Sequence, residues 1–276
     1  MGVILALIAA FSFGLADFLG GVLSKRFAVW TVAFVMQVAA TASLLVMAVL
    51  QPVAPGREAL VWGGLAGLAN GVGTVFLYRG LAIGRMGVVA PVSGALAATI
   101  PVLVGVLSGE RPSLLAWVGV LLALPGIWLV ARTPETETQA PYSGAREGLA
   151  AGICFGVLFV FLARIPTGTG WLPLAVSESL AGAIVAVVAV LIGQRWLPRE
   201  RGLWPAVPLG VVVAIAMVAF VSATHHGYLS ITSVLSSLYP GVTVLLAVTL
   251  TREAVHRVQV IGLCLCAVAV ALVASG

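Results

Sequence analysis

Runs of about 20 apolar residues, separated by short polar turns, recur along the chain near 2–23, 29–50, 60–83, 87–108, 113–131, 147–165, 172–193, 204–227, 230–250 and 257–274. Each run is long enough to cross a hydrocarbon core of ~30 Å. In lipid the backbone must satisfy its own amides, and the polar/apolar alternation of a barrel strand is absent, so the pattern predicts ten transmembrane helices. Composition supports an all-α integral membrane protein: 61% of the 276 residues are hydrophobic and 8% charged, with a mean hydropathy of +1.17. A soluble globule could not hide that much apolar surface.

The pattern is also written twice. Leu7, Ala9, Phe13 and Gly14 recur as Leu149, Ala151, Phe155 and Gly156 at an offset of 142, and Glu110 with Gly119 recur as Glu253 with Gly262 at 143. Trp30 with Gln37 against Trp171 with Glu178, and Trp62 against Trp204, keep the offset at 141 to 142. The chain therefore reads as two five-helix repeats, 1–132 and 147–276, joined by a polar linker at 133–146. An odd number of spans per half makes the second half enter the membrane from the opposite side, which gives an inverted repeat.

Charge adds an orientation. The face carrying the loops after the odd-numbered spans, side A, holds ten Lys and Arg residues, against Arg57 and Arg111 on side B. By the positive-inside rule side A is cytoplasmic and both termini lie outside. Fourteen basic residues scattered over the connections, with a net charge of +5, make no patch for nucleic acid. Cys154, Cys264 and Cys266 fall in apolar spans and read as small core residues, so neither a disulfide framework nor a metal site is expected, and no motif calls for a cofactor.

Polar groups in mid-membrane are costly and usually face a cavity or a partner. Counting at 1.5 Å per residue puts Asp17, Gln37 and Arg79 roughly 10 Å below side A, with Arg79 as the expected ion-pair partner of Asp17. The same pair also reads as a static device that fixes helix register. Glu178, the counterpart of Gln37, is expected near side B with His225 and His226. A carboxylate beside an imidazole of pKa ~6.5 makes a workable proton relay, while the histidines read equally as satisfied interfacial residues.

Gly63, Gly67 and Gly71 recur every four residues and give span three a smooth face for close helix approach, with Asn70 and Thr74 beside it. Ser230, Thr232, Ser233, Ser236, Ser237 and Tyr239 precede Pro240 in span nine and read as cavity lining or a helix break, with interhelical hydrogen bonding as the alternative. Ser93, Thr99, Pro91 and Pro101 predict the same in span four. Glu110 and Glu253, at helix starts, read as caps.

The segments Phe13-Gly14-Leu15-Ala16-Asp17-Phe18-Leu19-Gly20-Gly21, Tyr78-Arg79-Gly80-Leu81-Ala82 and Gly109-Glu110-Arg111-Pro112 resemble the EamA-like carriers of the drug/metabolite transporter superfamily. The likeness covers essentially the whole chain. It implies a central cavity between spans one to four and six to nine, spans five and ten packed outside, and alternating-access movement of small metabolites. It also implies cytoplasmic termini, opposite to the charge count. The chain departs from the family pattern in its nearly neutral loop after span two.

The expected function is thus a secondary transporter for a small-molecule substrate, extending to proton-coupled export. It is expected as a monomer or homodimer in the lipid bilayer of a bacterial plasma membrane. An intramembrane enzyme lacks its constellation here: there is no H-E-x-x-H, no Gly-x-Ser-x-Gly and no second Asp. A channel or a scaffold remains the other class of reading.

Overall fold

The computed structural model describes residues 1–83, 86–131, 144–198, 201–251 and 256–275. Among these residues there is no strand, and the chain is a bundle of helices. The first half contributes α1 (Gly2–Ser24), α2 (Val29–Leu50), α3 (Arg57–Ile83), α4 (Met86–Leu107) and α5 (Leu114–Ala131). The second contributes α6 (Ala145–Ala163), α7 (Leu172–Leu191), α8 (Ala206–Thr224), α9 (Leu229–Ser236), α10 (Tyr239–Thr251) and α11 (Arg257–Ser275). Nine spans among the described residues are long and apolar enough to cross a membrane, α9 and α10 together counting as one, and α4 adds the apolar stretch Val92–Leu107. Most of the linker, and with it Arg85 and Glu253, lies outside the described residues.

Helices pack mainly on the opposite half, not on their neighbours in sequence. The most extensive contacts between halves occur with their partners exchanged: α1 lies on α8 as α6 lies on α3, and α2 on α8 as α7 on α3. The packing of α4 on α6 is matched by that of α9 and α10 on α1, while α2 on α7 and α5 on α11 are their own counterparts.

The glycine face of α3 has its expected use, and α7 is the helix that lies on it. A Cβ at Gly67 would stand 2.5 Å from the Ser177 carbonyl oxygen, one at Gly63 would collide with Pro173, and one at Gly71 would meet Ile184. Only hydrogen at these positions lets two backbones approach so closely. A second such face on α6, Gly148, Gly152 and Gly156, rests on α4 against Val89, Ser93, Leu96 and Ile100. In a bilayer, where lipid competes with side chains for apolar contact, this tight packing is a principal source of helix association.

The ninth span is broken. α9 ends at Ser236 and α10 starts at Tyr239, with Ser237 and Leu238 in a turn. Pro240 has no N–H to offer the Ser236 carbonyl, and its ring crowds that carbonyl, so the helix stops and restarts. Thr243 Oγ1 donates to the Gly14 carbonyl at 3.1 Å and pins the restarted helix to α1. Span four does not follow suit, because α4 runs unbroken through Pro91 and Pro101. The positions matching Pro240 in that span, around Leu96–Ala98, carry no proline.

Glu110 does cap a helix, but not the one that follows it. Gly109, at φ 90°, closes α4, and the Glu110 amide bonds back to the Gly105 carbonyl at 3.0 Å. The turn aims the Glu110 carboxylate across the bundle, where Leu229 N–H donates to it at 2.6 Å and Ser230 N–H at 3.0 Å. It thus caps α9 of the other half, while Ser113 Oγ serves α5 by accepting from the Ala116 amide at 3.1 Å. Arg164 caps α6 on side B, which makes the basic count ten against three.

Candidate functional site

A cavity of about 190 Å³ lies between the two halves. Four helices of the first half, α1 to α4, and α6, α7, α8 and α10 of the second contribute to its wall. Toward side B it is closed by Leu44, Leu162, Leu174 and Phe220, all fully buried. Polar ties reinforce that closure: Trp171 Nε1 donates to Gln51 Oε1 at 3.1 Å, and Glu110 holds the start of α9. The cavity opens, among the described residues, toward side A. Among the described residues, α9 packs on both α1 and α4, whereas α10 of the same span packs on α1 and not appreciably on α4. Asp17 is exposed on this open side.

Its polar groups come from both halves. Asp17, Gln37, Asn70, Glu178 and Tyr239 all line it, so residues assigned by depth to two separate clusters share one site. Glu178 is 1% exposed, and its Oε1 accepts from Asn70 Nδ2 at 3.1 Å. The glycine face creates this bond: Gly67 brings Ser177 down onto α3, and the next residue of α7 then meets Asn70, three positions on. Gln37 approaches α7 one turn further along, beside Gly182, and its buried Oε1 accepts no hydrogen bond.

The remaining wall is aromatic and apolar. Phe13 stands with its ring centroid 6.4 Å from those of Phe159 and Tyr239, and Phe159 stacks on Phe220 at 4.5 Å. Phe155 and Tyr78 add further rings. Residue chemistry alone did not single out Phe155 and Phe159, although the repeat offset marks Phe159 as the counterpart of Asp17.

Five expected site residues lie elsewhere. Arg79 does not pair with Asp17: its side chain is 66% exposed and its Nε stands 3.9 Å from Glu147 Oε1. Nine residues beyond Asn70, at about 100° per residue, Arg79 points roughly 180° away from the cavity face of α3. His225 is the C-cap of α8, with Nε2 2.9 Å from the Ile165 carbonyl, and His226 Nδ1 lies 2.7 Å from the Ser222 carbonyl. Neither histidine lines the cavity, and a relay between Glu178 and His225 does not exist in this arrangement. His226 thus answers a last-turn carbonyl of its own helix, while His225 ties the end of α8 to the residue after the α6 cap.

Ser233 and Ser236 are fully buried outside the cavity, in the half-helix pressed against α1 and α4. Ser236 Oγ reaches the Ala6 carbonyl at 3.4 Å. Their small size lets backbones approach, so they are packing residues. Tyr239, just past the break, is the residue of that stretch that reaches the cavity.

Comparison with known proteins agrees with the architecture. A solved crystal structure described only as a protein shares the fold with a TM-score of 0.77, at 19% identity, over 98% of this chain and 95% of that one. The threonine/homoserine exporter RhtA of Salmonella typhimurium is 26% identical over 202 residues, which span 68% of this chain and 66% of the exporter. Its Escherichia coli K12 namesake is 28% identical over 125 residues, 45% of this chain and 40% of that one. The uncharacterized transporter sll1319 of Synechocystis is 27% identical over 178 residues, 60% of this chain and 52% of its own. The chain thus spans about two thirds of these relatives at most. A model of the EamA-like transporter family matches residues 1–132 and again 144–275, so the chain belongs to the EamA-like transporter family.

Proposed function

We propose that this membrane transporter is a secondary carrier that exports a small metabolite by alternating access, with its two halves arranged as inverted repeats. The observation that carries this reading is the cavity itself, walled by both halves, tied shut on side B and open toward side A. Exchanged packing partners support the inversion, since a half-turn about an axis in the membrane plane would relate the contacts in this way. Exchange of roles between the halves then closes side A and opens side B. The exporters among the relatives favour outward movement, and their bacterial sources favour the plasma membrane.

Proton coupling, in this reading, passes through Asp17 and Glu178, the two carboxylates on the cavity, and not through the histidines. Purified protein in proteoliposomes should give saturable counterflow of a labelled substrate and respond to a pH gradient. Unsaturable ion current without counterflow would make it a channel. Counterflow with no pH response would remove the proton from the cycle and leave the carrier.

A further inference from the structure

We propose that the cavity recognises an organic amine in its cationic form, with an apolar body, in preference to an amino acid or a carboxylate. The inference names the substrate class and rests on the carrier reading above.

The charge of the wall is one-sided. Its ionisable carboxylates are Asp17 and Glu178, and no Lys, Arg or His is among the described residues that line it. Arg79, the basic residue next to Tyr78 on α3, is turned outward to Glu147. A substrate carboxylate would therefore enter a low-dielectric space where the described wall offers no cation to receive it and two acids stand beside it. An ammonium group meets the reverse situation.

Gln37 supplies the second, independent observation. Its Oε1 is buried against α7 beside Gly182 and accepts no hydrogen bond, an unmet acceptor on a wall residue that costs free energy until the side chain turns to a donor. Glu178, one turn before Gly182 on α7, has Asn70 as a donor to one oxygen. An ammonium carries several N–H donors and no acceptor, which matches this set of acceptors. Asp17, exposed at the open end, meets the incoming cation first, and Glu178 with Gln37 holds it deeper.

The rings then account for the body. Phe13, Phe155, Phe159, Tyr78 and Tyr239 surround the path, offering apolar area and ring faces that attract cations. The volume of about 190 Å³ falls below the range typical of drug-sized pockets, which keeps the substrate small.

Three probes of one body separate the possibilities: phenethylamine, phenylalanine and 3-phenylpropionate, titrated calorimetrically into the full chain in nanodiscs. Phenethylamine should bind at least about tenfold more tightly than phenylalanine, since a charge-assisted hydrogen bond without an opposing repulsion is of that order. Phenylpropionate should not bind measurably. Glu178→Gln should weaken phenethylamine by about tenfold or more, and Asp17→Asn by a smaller factor. Phenylalanine or phenylpropionate binding as tightly as the amine overturns the proposal, as does the absence of binding by all three. The wild-type series decides the matter even where a variant misfolds. Counterflow of the same probes keeps the two readings apart: amino-acid counterflow without amine counterflow sinks the substrate class alone, whereas amine binding without counterflow by any probe sinks the carrier.

Discussion

The two halves place their acids at different steps of the same scaffold. In the first half α1 offers Asp17 and α2 offers Gln37; at the matching positions of the second half α6 offers Phe159 and α7 offers Glu178. All four side chains face one cavity. Each half thus contributes a single carboxylate, but the first does so near the open side and the second at the deep end. In the proposed cycle a strictly symmetric pair of acids would offer a cation the same site in both states, whereas the staggered pair would offer unlike sites.

Moving the acids tests this directly and should have the largest effect. Glu178→Gln is expected to lower the counterflow rate by roughly 10- to 100-fold, the scale of one charge-assisted hydrogen bond. Adding Gln37→Glu should recover part of the loss, because the charge returns to the equivalent step on the other half. No recovery would show that position, and not charge alone, is what the second half provides.

Next comes the packing beneath the site. Gly67→Val forces side-chain atoms into the Ser177 backbone and should destabilise the protein by about 1–3 kcal/mol, seen as a lowered Tm in nanodiscs. Gly64→Ala, on the same helix but facing open space, should leave Tm where it is. Equal effects would remove the close α3–α7 approach as the reason for the glycine pattern.

The tie on side B should respond more modestly. Glu110→Gln weakens two hydrogen bonds to α9, and amide exchange at Leu229 and Ser230 should rise about tenfold. Unchanged exchange would mean that the carboxylate is not what holds this half-helix. Smallest of all are the histidines: His225→Ala and His226→Ala should leave the pH profile of transport unaltered, with stability changes within about 1 kcal/mol. A displaced pH profile would return the imidazoles to the transport cycle.

Hydropathy located the helices closely because lipid imposes length and apolarity on every span: the expected runs 2–23 and 29–50 became Gly2–Ser24 and Val29–Leu50. The missing N–H of Pro240 points to a break, with cavity lining and interhelical bonding as the other readings, and the period of three glycines gives the α3 face. Depth counting sets Glu178 apart from Asp17 and Gln37, with which it shares one cavity, and it gives no azimuth. That is why Arg79, level with Asp17, was paired with it although the helix turns it outward. Hydroxyls misled for a related reason. Ser233 and Ser236 are polar enough to line a cavity and small enough to bury against α1 and α4, and only the packed bundle decides between these uses. The reach of Glu110 to α9 spans about half the chain and leaves no local trace.

The preference of helices for partners in the opposite half bears on how the protein is made. When α1 to α5 have left the ribosome, the glycine face of α3 has no α7 to meet, Glu110 has no α9 to cap, and Asn70 has no carboxylate to bind. The first half must therefore wait in the bilayer, loosely assembled, until the second is inserted. Assembly of this transporter is a closing of two combs into each other, and its most vulnerable moment falls while the linker is being translated.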